Sequence, residues 1–420
     1  MSSITFKLTL AAMMVAMGAG SVAADESGGS DQRGDSVRYR TRPAYDAVGI
    51  RAGAFTVLPQ VNLVGKYDDN IYATDVNETD DFITELATSV SVESGWSRHA
   101  LNVVAGVRQY IYADNTDENR LDWNVGADGL IDVTRDTQLR GALAYRQLHE
   151  DRGDPSAAAA ASEPTEYSLL TGAASLDHRF NRLTTRISGG YSEYDYKDVL
   201  STTGVVIDQD DRDRAEYEES LRVGYDVSPD TNVYVQGTLN QRVYDLTVPV
   251  VAVNRDSDGY AVVAGSDFRL SNLMQGGVFV GYQEQSYDDP TLANTSGLAY
   301  GASVEWYVTP MTTVSFDAAA TIEETTTVGA SGYTSQQGGV RVDHELLRNV
   351  LVNARVSYES NDYEGVARTD DILRAGLGVD YLLNRNFVVG VGYDYTDRDS
   401  SLVGNDYQRN VIGLTLTGKL

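Results

Sequence analysis

The sequence predicts an all-β protein, a transmembrane antiparallel up-and-down β-barrel of about 18 strands. Three observations carry this. Apolar and polar residues alternate along one stretch after another, in runs of about 10–13 residues. Such runs are long for a soluble strand and right for a tilted strand that crosses a bilayer. Tight turns alternate with longer polar loops. The composition is rich in Tyr (27) and Gly (39), poor in Pro (8) and free of Cys, which also excludes disulfides and thiolate metal sites.

Residues 1–24 read as a signal peptide for export. Lys7 precedes an apolar run from Leu8 to Ala19, too short to span a bilayer as a helix, and Val22-Ala23-Ala24 supplies a small-residue cleavage site. No cysteine follows it, so no lipid anchor is expected. Residues 25–50 are polar and Gly/Ser-rich and read as a flexible periplasmic tail, with no room for a folded plug ahead of a barrel. Residues 51–420 are left for the barrel itself.

The first strand starts near Phe55. Val57, Val61 and Leu63 share one parity, and Gln60, Asn62, Val64 and Lys66 the other, with Pro59 near the start, where a missing N–H is tolerated. Leu101, Val103, Ala105 and Val107 oppose Asn102, Gly106 and Arg108 in the same way. So do Val233, Val235 and Leu239 against Tyr234, Gln236 and Asn240, and Phe387, Val389 and Val391 against Gly390, Gly392 and Asp394. Eight tight turns, among them 133–136, 228–230, 309–311 and 383–386, alternate with nine longer loops centred near residues 74, 116, 156, 205, 251, 290, 328, 364 and 401. Nine loops and eight turns join 18 strands, with both termini on the short-turn side. The turn spacing also fits a β-propeller, but each period here holds two long strands rather than four short ones.

Trp96, Trp123, Trp306, Tyr145, Tyr191, Tyr225, Tyr307 and Tyr381 lie near strand ends and suit interfacial girdles. The last strand sets Ile412, Leu414, Leu416 and Leu420 against Lys419, a pattern similar to the terminal strand read by the outer-membrane assembly machinery, ending in Leu rather than Phe.

The opening Gly49-Ile50-Arg51-Ala52-Gly53-Ala54-Phe55, then Pro59 and Tyr67-Asp68-Asp69-Asn70-Ile71-Tyr72, and the closing Gly413–Leu420 resemble an outer-membrane β-barrel porin family found with exopolysaccharide and capsule biosynthesis. The resemblance implies a barrel of about 18 strands in the outer membrane of a Gram-negative bacterium. It also implies passage of polysaccharide beside a periplasmic polysaccharide-export protein. It supplies no catalytic residue.

A barrel this wide leaves an aqueous channel, so function is expected on the inward parity. That parity carries Arg108, Arg140, Arg146, Arg186, Arg222, Arg242, Arg355, Arg374 and Arg409, mixed with Asp122, Glu216, Glu218, Glu305, Asp317, Asp380 and Asp394. Mixed charges across a wet lumen bind hydroxyl-rich solutes and set a field, or else pair with each other and brace the wall. Tyr110, Tyr112, Tyr194, Tyr234, Tyr244, Phe279 and Tyr407 are inward aromatics that a sugar ring could stack on. A general diffusion porin for small solutes and a structural or adhesion barrel are the alternatives to glycan passage. The apolar loop runs 246–253 and 199–207 suggest extended hairpins, or a loop folded inward as a gate.

The net charge of −28 makes nucleic acid an unsuitable partner. Acidic loops such as Asp68–Asp81 and Asp208–Asp213 read as solvated surface, or as divalent bridging to outer-membrane lipid and lipopolysaccharide. No metal or cofactor is expected: Asn254–Gly259 superficially resembles a calcium loop, but Gly265 stands where its terminal Glu would be. An enzyme is disfavoured because His99, His149, His178 and His344 lack a nucleophile or paired-carboxylate setting.

Overall fold

The computed structural model describes residues 35–158, 160–245 and 253–420. The first nine barrel strands are β1 (Phe55–Asp68), β2 (Asp81–Ser94), β3 (Ala100–Tyr112), β4 (Arg120–Thr134), β5 (Thr137–His149), β6 (Glu166–Phe180), β7 (Leu183–Tyr196), β8 (Arg214–Ser228) and β9 (Thr231–Tyr244). The other nine are β10 (Ser257–Leu270), β11 (Met274–Tyr287), β12 (Thr295–Thr309), β13 (Thr312–Glu323), β14 (Tyr333–Leu347), β15 (Val350–Tyr363), β16 (Thr369–Leu382), β17 (Phe387–Ser400) and β18 (Tyr407–Lys419). Each pairs antiparallel with its sequence neighbours. β18 closes the ring on β1 in a register that runs from Gln60↔Lys419 to Asp68↔Val411. Closure leaves no free edge, which is the condition for strands to stand in hydrocarbon. Strands of 12–15 residues, rising about 3.3 Å per residue and tilted about 40°, climb roughly 30 Å, the thickness of a bilayer core.

The alternation decides the two faces. Val61, Leu63, Leu377, Leu414 and Leu416 belong to the outward parity and are all more than 40% exposed, as a lipid-facing wall must be when the lipid is removed. The eight turns leave only two to five residues between successive strands. Asn181 supplies a left-handed residue (φ 61°) in the tight connection between β6 and β7. Trp96, Trp123, Trp306, Tyr225 and Tyr381 are exposed on the outer surface. Tyr145 packs on Trp123, and Tyr191 on Tyr217, in the same wall. Tyr307 departs from the expected girdle. It is 3% exposed and its hydroxyl donates to Glu305 Oε2 at 2.8 Å, because it shares the inward parity of Ser303 and Glu305, opposite to the outward Trp306.

The described part of the expected tail also differs. Ser36, Val37 and Arg40 are buried at the turn end of the barrel. The Val37 N–H donates to Thr313 Oγ1 at 3.0 Å. Arg40 and Arg42 converge on Glu345 Oε2 at 3.5 and 3.0 Å. Further on, Arg385 donates to the Pro43 carbonyl at 2.9 Å, and Ile50–Ala52 folds back onto the first residues of β1. In this part a polar sequence is held by partners some 300 residues away. Residues 25–34 lie outside the described residues.

Candidate functional site

Strand pairing puts every charged residue assigned to the inward parity on one face. The registers Arg108↔Asp122, Arg222↔Arg186, Glu216↔Arg242, Ser303↔Asp317, Gly376↔Asp394, Thr396↔Arg409 and Leu351↔Asp380 link them round the ring. They form separate wall clusters rather than one centre. Arg140 and Arg186 share Asp177, and Arg222 pairs with Asp267. Arg355 meets Asp394, Arg374 meets Glu359, and Arg108 meets Glu85. Asp122 holds His149 Nδ1 at 2.9 Å, which accounts for that histidine. Arg242 and Tyr244 both reach Glu324, the hydroxyl at 2.7 Å. Arg146, Glu218 and Asp380 stand on the same face with no ion pair among the described residues.

The inward aromatics do not present an open track. Guanidinium groups cover three of them: Arg222 lies 3.2 Å from the Tyr234 ring centroid, Arg120 4.4 Å from that of Tyr110, and Arg214 4.1 Å from that of Tyr194. Phe279 and Tyr234 also lie flat along the wall over Gly301 and Gly265, where an added Cβ would meet their rings at 2.4 and 2.5 Å. These rings are wall material.

The loops supply what the strand pattern does not show. The β5–β6 loop opens with Glu150-Asp151-Arg152, three charges that find three different partners. Glu150 takes Arg212 of the β7–β8 loop, with one contact at 3.0 Å. Asp151 reaches Arg409 on β18 at 3.3 Å. Arg152 donates to Glu118 of the β3–β4 loop through Nε at 3.1 Å. Held this way, the loop turns over the lumen. The Gly153 carbonyl accepts from Arg398 of β17 at 3.3 Å, and the Ser156 carbonyl accepts from Thr326 Oγ1 at 3.4 Å.

Thr326 sits on the β13–β14 loop, eight strands round the ring one way and ten the other. That loop is itself drawn inward. Glu324 takes Arg242 and Tyr244, Arg368 donates to Thr327 Oγ1 at 2.8 Å, and Arg255 donates to the Ala330 and Ser331 carbonyls, both at 3.0 Å. Two loops from opposite sides therefore meet across the loop end of the barrel. The 199–207 run forms a short hairpin, Val199–Leu200 with Val206–Ile207, whose Leu200, Val205 and Val206 are exposed. It packs beside the crossing loop through Ser162 N–H to the Leu200 carbonyl at 2.7 Å, and does not itself cross. Residues 246–252 lie outside the described residues.

Two loop carboxyls are shifted in opposite directions. Burial pushes Asp151 up, but Arg409, Arg120, the Gly153 N–H and Lys66 outweigh it and hold the carboxyl at about 2, so it stays charged. Asp213 is raised to about 6, first by burial and then by Asp195, Asp210 and Asp245, against the hydrogen bond from the Tyr196 N–H. The folded loop keeps a proton there that the unfolded chain has released between about pH 4 and 6. Its contribution to loop stability is thus present at acid pH and lost as the pH rises through about 6. Proteolytic cleavage within 197–213 should slow between pH 7 and 5, relative to an Asp213→Asn variant that already shows the slow rate at pH 7. Equal rates for the two proteins at every pH would contradict this.

Sequence reading missed Lys66, Glu85, Arg120, Arg214, Asp370 and Arg398 on the inner face, and Glu118, Glu150, Asp151, Arg152 and Arg212 in the loops. Parity could have found the strand residues, since each falls on the same alternation as the residues assigned. Among the described residues, Asp198, Asp208 and Asp210 are the group whose carboxylates cluster, and all three are exposed.

None of the curated proteins matches the chain. Among solved structures, OccK3 (OpdO) of Pseudomonas aeruginosa is 14% identical over 87% of this chain and 95% of its own, with a TM-score of 0.43. OccK9 (OpdG) of the same organism is 12% identical over 87% and 98%, with a TM-score of 0.45. OccAB4 of Acinetobacter baumannii is 13% identical over 87% and 98%, with a TM-score of 0.44. The model of the family described as "Putative beta-barrel porin 2" matches residues 42–420, a span that holds all 18 barrel strands, and the chain belongs to this family of outer-membrane β-barrel porins.

Proposed function

We propose that this porin is a passive channel for small hydrophilic solutes, narrowed at its loop end by the β5–β6 and β13–β14 loops. The observation that carries the reading is the contact between Ser156 and Thr326 across the barrel. A ring of 18 strands is wide enough to leave water inside it, so its selectivity must come from whatever enters the lumen. Here that is two loops braced by ion pairs, with cations and carboxylates nearly balanced on the wall around them. Such a surface orients water and hydroxyl-bearing solutes without a deep binding minimum, which suits passage in and out.

The geometry gives less support to the expected passage of polysaccharide. A glycan chain would have to displace both loops, and three of the tyrosines that could have stacked its rings, Tyr110, Tyr194 and Tyr234, are covered by arginines. The purified chain in a planar bilayer tests the reading. Discrete, voltage-independent conductance steps are expected, whereas an electrically silent protein that inserts and folds would point to a sealed, structural barrel.

A further inference from the structure

We propose that Lys66 of β1, Arg120 of β4 and Arg409 of β18 form a binding station for the oxyanion of a small solute, and that the Asp151 carboxylate is a tethered anion holding this station between passages. This rests on the channel reading, and it assigns the constriction a solute chemistry.

At their loop ends the three strands bring three inward cations, Lys66, Arg120 and Arg409, against two inward carboxylates, Asp68 and Asp122, and Asp122 is shared with His149. Glu85 is shared by Lys66 at 3.5 Å and Arg108 at 3.2 Å. Asp68 is taken by Arg409, whose Nε lies 2.9 Å from Oδ2. Arg120 meets the Tyr112 hydroxyl at 3.2 Å and the Tyr110 ring, and no carboxylate within ion-pair distance among the described residues. The deficit is made up by a residue that is not part of the wall. Asp151 arrives on an inward-folded loop and places a planar, two-oxygen anion on Arg409, within the field of Arg120 and Lys66, which both lie over the Tyr110 ring; a permeating carboxylate would present the same group.

The way Asp151 is held suits exchange. Its neighbours on either side are clamped in buried pairs, Glu150 with Arg212 and Arg152 with Glu118, so the backbone is fixed. Its own side chain is 52% exposed and touches Arg409 at a single 3.3 Å contact, helped by the Gly153 N–H at 2.9 Å. One long contact to a single guanidinium leaves this side chain freer to move than the buried pairs on either side of it. An incoming oxyanion can take its place while the loop stays where it is.

The test uses the full-length protein in planar bilayers, with acetate as the probe and chloride as the spherical control. Asp151→Asn should shift the reversal potential in a KCl gradient toward anions, by a several-fold rise in the anion-to-cation permeability ratio. It should also make the chloride current sensitive to added acetate. Arg120→Gln in the Asp151→Asn background should remove the acetate sensitivity, with the temperature of heat-modified migration unchanged in both variants. Normal conductance steps with wild-type selectivity and no acetate block in Asp151→Asn would overturn the station and leave the channel reading standing. An anion shift that acetate does not modulate would reduce Asp151 to a field charge, and would also overturn it. No conductance in any of the proteins would overturn both readings.

Discussion

Removing residues 411–420 abolishes the folded barrel. The seam between β18 and β1 consists of nine paired positions from Gln60↔Lys419 to Asp68↔Val411, and the truncation deletes one side of all of them. It also strips β17 of its partners from Phe387↔Gly418 to Asp394↔Val411. In water such an edge would be hydrated. In the bilayer each unpaired N–H or C=O costs several kcal/mol, so an open 17-strand sheet has no stable place there. The loss also takes Leu414 and Leu416 from the lipid-facing wall. The check is migration on unheated denaturing gels, where a closed barrel runs faster than its boiled form. The truncated chain is expected to show only the slow form and to be absent from outer-membrane fractions. A heat-modifiable truncated protein would mean that the barrel closes by another register.

Excising residues 153–160 opens the channel. These residues carry the Gly153 carbonyl that Arg398 holds and the Ser156 carbonyl that meets Thr326, while the clamps at Glu150 and Arg152 lie outside the cut. The wall is a continuous hydrogen-bonded sheet that does not need the loop, so folding should survive. The cross-section freed is that of a polypeptide segment lying over the mouth, and single-channel conductance should rise several-fold, with larger sugars admitted. Unchanged conductance and an unchanged size limit in a folded variant would show that this loop does not define the constriction.

The strands were legible because each encodes its own faces. Val61 and Leu63 against Asn62 and Lys66 state the choice locally, and the closing register carries Ile412, Leu414 and Leu416 to the same outer surface. The lumen charges followed from the same period. What could not be read is where the loops go. Apolar runs such as 199–207 drew the expectation of an inward gate, yet the loop that crosses is Asp-Arg-Gly-Asp-Pro-Ser followed by alanines, polar at its start and plain after it. Its path is fixed by Arg409 at a sequence separation of 258 and by Arg398 at 245. The segment at Val37–Arg42 escaped for the same reason, since its anchors Thr313 and Glu345 lie at sequence separations of 276 and 303. Tyr307 faces inward by the same alternation that turns Trp306 outward, so placing two consecutive residues in one girdle overlooked the parity of the strand.

The most direct test of the constricted channel is liposome swelling by the purified wild-type protein in sugars of increasing length. The account predicts rapid swelling in monosaccharides, slower swelling in disaccharides, and exclusion of longer maltodextrins. Equal rates across the whole series would contradict the two-loop constriction, and no swelling in any sugar would contradict the channel itself.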